Sequence, residues 1–218
     1  MTGETPRQKP LVSIVVPAFQ ETGLEHILAR YGRLERVEVI FALAEEDTQT
    51  IPPARAAHTR SAKGRAAQMN AAAATASGDI LLFLHADTSI PPEAMDLVRQ
   101  TLKNPEVAAG AFQLRVDGPG WWFPFISAVA NLRSRLLSLP FGDQAVFMAK
   151  STFQKIGGYQ PVPILEDVRL IEAAAKLGRI AIIPATATTS PRKWLAHGRL
   201  ATTAHHWLLM LRYWLQSK

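Results

Sequence analysis

Gly78-Asp79-Ile80-Leu81-Leu82-Phe83-Leu84-His85-Ala86-Asp87-Thr88 is a short, wholly apolar run that stops abruptly at a carboxylate. A run of this length, bounded by a Gly-Asp pair and a turn, reads as a strand buried on both faces, the kind found in parallel sheets. It delivers Asp87 to the carboxyl edge of such a sheet. Ligands of open α/β folds bind along that edge, so Asp87 is a candidate for holding a metal or a phosphate-bearing ligand. A local reading competes: Asp87, Thr88 and Ser89 cap the helix that Ile90-Pro91-Pro92-Glu93 introduces.

The segments on either side repeat an alternation of strand and helix. Leu11 to Val16 is β-branched and ends at the loop Pro17-Ala18-Phe19-Gln20-Glu21. Gly23 to Leu34 places Leu24, Ile27, Leu28 and Tyr31 at helical spacing, and Val37 to Leu43 is a second strand before the acidic loop Glu45-Glu46-Asp47-Thr48. Arg60-Ser61-Ala62-Lys63-Gly64-Arg65 is a basic loop leading into an alanine-rich helix, Ala66 to Ala76. A helix amino terminus surrounded by basic side chains suits a diphosphate; the plainer reading is a helix start with solvated cations. The order of its lysine and glycine excludes a P-loop.

Beyond the opening strand, Val107 to Val116 forms another strand with one solvated face. Trp121-Trp122-Phe123-Pro124-Phe125 feeds an amphipathic segment bearing Asn131, Arg133 and Arg135. That segment lines an acceptor cleft, rests on a membrane surface, or packs as a core helix with a basic outer face. A short strand, Ala145 to Met148, follows Phe141-Gly142-Asp143-Gln144, and Gly157-Gly158 closes a brief helix. Ile164-Leu165-Glu166-Asp167-Val168 opens a helix running to Lys176, where acids in the first turn complement the dipole. Ile180 to Ile183 is a last strand, ended by Pro184, and Thr188 to Lys218 holds Pro191-Arg192-Lys193-Trp194 and a helical stretch rich in tryptophan, leucine and arginine. The alternation implies an α/β fold with a largely parallel sheet.

The 218 residues, 48% of them hydrophobic, suffice for one well-cored domain, and the formal charge of +6 favours anionic partners. With no cysteine, disulfides, thiolate catalysis and cysteine-ligated zinc are excluded, so any metal must sit on oxygen or imidazole. Met1 to Pro10 is polar and lacks the apolar core of a signal peptide, which implies a flexible tail on a cytoplasmic protein. Trp121 to Leu139 and Trp207 to Leu215 come nearest to membrane-spanning character, but arginines interrupt both.

Taken in order, Ser13-Ile14-Val15-Val16-Pro17, Gly64-Arg65-Ala66-Ala67-Gln68-Met69-Asn70, His85-Ala86-Asp87, Gly142-Asp143-Gln144 and Glu166-Asp167 resemble the inverting family 2 glycosyltransferases of GT-A fold. More closely, the chain resembles the short bacterial subgroup of radical-SAM/selenodomain-associated transferases. The resemblance implies a Rossmann-like GT-A domain over 11–193, a tail over 1–10 and a C-terminal helical extension over 194–218. Asp87 then falls at the last position of the D-x-D element that binds a divalent cation, Mn2+ or Mg2+, with His85 replacing the first acid. Asp167, preceded by Glu166, falls at the catalytic base.

Donor contacts are implied at Pro17, Ala18, Glu21, Arg60, Gly64, Arg65, Gln68, His85, Ala86, Asp143, Arg192 and Trp194. His197 falls where some GT-A enzymes supply a further metal ligand. Relatives carry a base-contacting acid at the end of the second strand; here Leu43 and Ala44 stand there, and Glu45, Glu46 or Asp47 is the replacement to test. The implied partners are a nucleotide-sugar donor, UDP-linked by preference, and a hydroxyl acceptor for which a lipid-linked compound is one option. No nucleic acid is implied. Peripheral contact with the inner face of the membrane stays open, as does the alternative of a GT-A domain that binds a nucleotide or partner without turnover.

Overall fold

β-branched and apolar runs make the centre of one sheet. In the computed structural model, which describes residues 10–162, 164–198 and Leu208, β1 (Val12–Ala18), β2 (Val37–Ala44), β3 (Ala57–Ser61) and β4 (Ile80–Phe83) are parallel, in the order β3-β2-β1-β4. The sheet continues through β7 (Phe147–Ala149), antiparallel to β4 and to β6 (Val107–Val116), then through β8 (Arg179–Thr189), parallel to β6. It ends at β5 (Thr88–Ser89). Among the described residues only β5 and β7 oppose the other strands, so the expected mostly parallel α/β sheet is what forms.

Strand alternation divides the core. Ile14, Val16, Phe41, Leu82 and Phe147 meet α1 (Glu25–Tyr31) and α3 (Ala94–Thr101) on one face. Val15, Ile40, Leu81, Phe83 and Met148 meet α2 (Arg65–Thr75), α5 (Lys150–Lys155) and α6 (Glu166–Ala175) on the other. Successive side chains of a strand point to opposite faces, so the unbroken apolar run Ile80–Phe83 supplies both cores. Beside β6, α4 (Trp122–Leu137) packs Phe123 with Leu114, Val116 and Trp194, the last from α7 (Arg192–His197).

Four features differ from the sequence reading, the first being β6, which is buried on both faces except at Gln113 and Arg115 and so lacks the expected solvated face. Ala57–Ser61 is a mostly exposed edge strand whose composition carries no apolar signal, so Arg60 and Ser61 lie on β3 and not in a loop. β8 runs past Pro184 to Thr189; its register with β6 jumps between Ala111/Ile182 and Gln113/Thr186, and the proline sits inside that irregular step, where no ladder N–H is required. Thr88 and Ser89 pair with Thr189 and Thr188 as β5, while α3 starts at Ala94 after Glu93. The helix-cap reading of Asp87, Thr88 and Ser89 is therefore overturned. Apart from Leu208, the C-terminal stretch 199–218 lies outside the described residues, as does 1–9.

Candidate active site

The loops after β1, β4 and β8, the amino ends of α2 and α6, and a one-turn 3-10 helix (Gly142–Gln144) meet along one edge of the sheet. Two cavities open there. The first, about 300 Å3, is lined by Pro17 to Glu21, Arg65, Gln68, His85, Ala86, Asp87 and Arg192. The second, about 190 Å3, is lined by Phe141, Asp143, Ile164, Leu165, Asp167, Thr189, Ser190 and Trp194. Arg65, His85 and Asp87 belong to both walls.

Charges at the junction are arranged by short contacts. The Asp87 Oδ1 accepts from the Thr88 hydroxyl at 3.3 Å, and its Oδ2 stands 3.9 Å from Arg192. The same guanidinium donates to both carboxylate oxygens of Glu21 at 3.3 Å, so Arg192 links the loops after β1 and β4. Lys63 lies 4.2 Å above the Phe19 ring, which ties the entry to α2 to the same loop.

Asp167 faces the second cavity. Its Oδ2 accepts from the Gly142 N–H at 2.6 Å and its Oδ1 from the Val168 N–H at 2.9 Å, at the positive end of α6. A Cβ on Gly142 would lie 3.0 Å from His85 Nε2 and 3.2 Å from Asp167 Oδ2. The bare glycine thus lets the imidazole and the carboxylate share one floor.

Glu166 points the other way. It is buried, with Oε1 2.7 Å from Arg65 Nε, and lines neither cavity. Burial and the neighbouring Asp167 charge raise its pKa, while Arg65 opposes them. Adjacent helical residues diverge, and here one acid serves the cavity and the other the cation behind it. Burial, with the charges of Asp167 and Glu166, pushes the nearby Tyr159 hydroxyl well above its ordinary value.

Behind the second cavity, Arg133 of α4 stacks on Phe141 at 3.4 Å and donates to the Leu139 carbonyl. Burial lowers the Arg133 pKa, against the charges of Asp143 and Asp167. Gln144 accepts from the Ser134 hydroxyl and the Phe141 N–H and donates to the Phe112 carbonyl, which fixes the turn carrying Gly142 and Asp143.

Non-glycine residues adopt left-handed backbone at both cavities: Gln20 (φ 54°) lines the first and Leu165 (φ 61°) the second. Such conformations cost about 1–3 kcal/mol each and persist only where surrounding contacts impose them. For Gln20 the restraint is Asp47, whose carboxylate accepts from the N–H groups of Gln20, Gln49 and Thr50 and from the Thr50 hydroxyl. Burial acts to raise the Asp47 pKa, but these bonds outweigh it and bring it to about 2. Asp47 therefore braces a loop, Glu45 and Glu46 are exposed, and Leu43 and Ala44 are fully buried.

Most of the residues expected at a donor site converge. Pro17, Ala18, Glu21, Arg65, Gln68, His85, Ala86 and Arg192 line the first cavity, and Asp143, Trp194 and Asp167 the second. Gln68 gives its amide hydrogens to the carbonyls of Ala18 and Ala42, bracing β1 against β2. Trp194 is buried edge-on against Phe123 and presents its remaining surface to the second cavity. Arg60 lies outside both cavities, its guanidinium on the carbonyls of Ala44 and Asp47. Gly64 precedes α2 with φ 131°, a conformation that favours glycine. His197 ends α7, and its side chain lies outside the described residues. Thr189 and Ser190 carry no signal in the sequence, because Pro184 reads as the end of their strand.

Asp87 offers carboxylate oxygens of the kind that hold Mn2+ or Mg2+, and His85 lines the same wall. Among the described residues no three His, Asp or Glu side chains form a cage. Mg2+-like cations are commonly held by one or two carboxylates with substrate phosphates supplying the rest, and the Asp87 wall fits that arrangement.

The mostly parallel sheet flanked by helices, with its cavities at the carboxyl edge, matches the GT-A glycosyltransferase fold. Solved structures share it: S. aureus TarS 1-349 superposes with a TM-score of 0.61 at 15% identity over 82% of this chain and 60% of that one. The same TarS fragment in complex with UDP-GlcNAc gives 0.60 at 16% identity over 82% and 58%. The mannosyltransferase PcManGT from Pyrobaculum calidifontis, in complex with GDP-Man and Mn2+, gives 0.60 at 16% over 84% and 57%. The chain thus spans about 60% of the length of these structures. Residues 13–157 match the family model described as "Glycosyl transferase family 2", and the chain belongs to that family. No curated sequence is similar enough to count as a match.

Proposed function

We propose that the chain is a metal-dependent inverting glycosyltransferase of the short radical-SAM/selenodomain-associated bacterial subgroup, with residues 11–193 as its catalytic domain. It moves a sugar from a nucleotide-diphosphate donor, UDP-linked by preference, to a hydroxyl acceptor in the cytoplasm. The observation that carries this reading is the wall of Arg65, His85 and Asp87 shared by the two cavities. A nucleoside in the first cavity and its sugar in the second would leave the diphosphate at that wall. The solved neighbours hold UDP-GlcNAc or GDP-Man, donors of this class.

Each residue then has a task. Asp167, oriented by the Gly142 N–H, accepts the acceptor's proton, an effect typically worth about 10²- to 10⁴-fold. Arg65 and the α2 amino terminus receive the negative charge that builds on the departing diphosphate. Asp87 would hold a divalent cation, which would supply Lewis-acid stabilisation of that same charge, on the order of several kcal/mol. In-line attack by the acceptor hydroxyl, with Asp167 taking its proton and the diphosphate departing on the opposite face of the sugar, inverts the anomeric centre. The rim of Phe141, Ile164, Leu165 and Trp194 suits an acceptor with an apolar portion, a lipid-linked one included.

Thermal shift with UDP- and GDP-sugars, with and without Mn2+, tests the donor and metal assignments together, since a ligand of the folded state raises the melting temperature. One donor is expected to stabilise the protein more with Mn2+ than without. Asp87→Ala removes the Mn2+-dependent part; an unchanged Mn2+ response would exclude Asp87 as the metal anchor.

A further inference from the structure

Only part of α4 is covered. Phe123, Ser127 and Ser134 are buried, whereas Trp121, Phe125, Leu132 and Leu136 are 73%, 53%, 57% and 72% exposed. Steps of four, seven and four residues put these last four on one side of the helix. Lone exposed leucines are ordinary, but a stripe running along a helix about 24 Å long marks a surface built for contact. Its aromatic end is continuous, with Trp121 centred 5.5 Å from Trp122 and 6.2 Å from Phe125.

Charge indicates what covers this stripe. No Asp or Glu occurs between Asp117 and Asp143, nor anywhere after Glu172, whereas the sequence after Arg192 holds four cations, Lys193, Arg199, Arg212 and Lys218. α7, with which that acid-free sequence begins, meets α4 where Trp194 lies 6.4 Å from Phe123. On α4 itself Arg135 is exposed and no acid is present.

We propose that the exposed face of α4 docks on an anionic lipid surface. Its leucines enter the boundary of the acyl chains, Trp121 and Phe125 sit at headgroup level, and Arg135 meets the headgroup charge. No helix among the described residues is long and apolar enough to cross a membrane, so this contact is peripheral. It also has a bearing on the second cavity: Arg133, on the same helix, stacks on the cavity residue Phe141. A bilayer at α4 would lie close to where an acceptor enters. The proposal rests on α4 and the charge distribution, independently of the glycosyl-transfer reading.

The absence of cysteine allows a clean test on the full chain. Leu132→Cys, labelled with the environment-sensitive dye NBD, is expected to brighten several-fold and shift to the blue with phosphatidylcholine vesicles containing phosphatidylglycerol. Pure phosphatidylcholine should give little response, and raised salt should weaken the effect. Leu136→Glu, at an exposed position that folding does not depend on, is expected to abolish co-sedimentation with the anionic vesicles. Emission that is already blue in buffer and indifferent to vesicles would overturn the proposal, because the C-terminal segment or a second copy would then cover the stripe. Emission that stays red with anionic vesicles, or undiminished co-sedimentation of Leu136→Glu, would overturn it as well.

Discussion

The two cavities meet at one wall yet are built from different materials. The first is a matter of posture: Asp47 holds Gln20, Arg192 holds Glu21, Lys63 holds Phe19, and Gln68 ties β1 to β2, so most of its polar side chains grip the protein. The second presents a carboxylate, Asp167, set by two main-chain N–H groups and facing open space. Under the proposed function the difference would separate binding from chemistry: the cavity of braced loops would recognise the donor, and the cavity with the oriented carboxylate would perform the transfer.

The largest effect that could break this division comes from Asp167→Asn. The amide keeps the shape of the carboxylate but cannot accept the acceptor's proton, so transfer is expected to fall by about 10²- to 10⁴-fold. Donor affinity, measured by calorimetry with Mn2+, should stay near that of the unmodified protein. Residual transfer close to the original rate would remove the base from the second cavity.

Legibility in the sequence follows the same division. The strands that carry the first cavity, Val12–Ala18 and Ile80–Phe83, are buried on both faces and therefore announce themselves as apolar runs. Their loops read directly as edge loops, and Pro17, Ala18, Glu21, His85, Ala86 and Asp87 line the first cavity. β3 hid because an exposed edge strand needs no apolar pattern, and the far half of β8 hid behind Pro184. The second cavity depends on contacts between distant segments: Gly142 with Asp167, Phe141 with Arg133, Trp194 with Phe123. No local pattern encodes those, nor the left-handed Leu165 that turns Glu166 inward and Asp167 outward.

Glu166→Gln sharpens the comparison at an intermediate size. Glutamine keeps an acceptor oxygen for Arg65 Nε but removes the charge that fixes the guanidinium on the shared wall. Arg65 is nearly half exposed, so the loss is modest: about 1 kcal/mol, or roughly fivefold in donor affinity, with kcat little changed. A collapse of kcat at unchanged donor affinity would place Glu166 in the chemistry and blur the boundary between the cavities.

The smallest effect concerns only the posture of the first cavity. Asp47 titrates at about 2 in the folded chain against 3.8 ordinarily, because Thr50, Gln20 and Gln49 donate to its ionised form more strongly than burial penalises it. A carboxyl whose folded pKa is depressed contributes stability that is fully present above its unfolded pKa and disappears as pH falls through the folded one. Asp47 therefore adds on the order of 1–2 kcal/mol above pH 4, and this contribution fades between pH 4 and pH 2. Asp47→Asn should lower the melting temperature by a few degrees at pH 7 and flatten its decline across that acidic window. Because Asp47 also imposes the left-handed Gln20, the variant should weaken donor binding slightly while leaving the second cavity's base untouched. An unchanged melting curve at both pH values would mean that the loop over the first cavity is held by Thr50 and Arg192 without it.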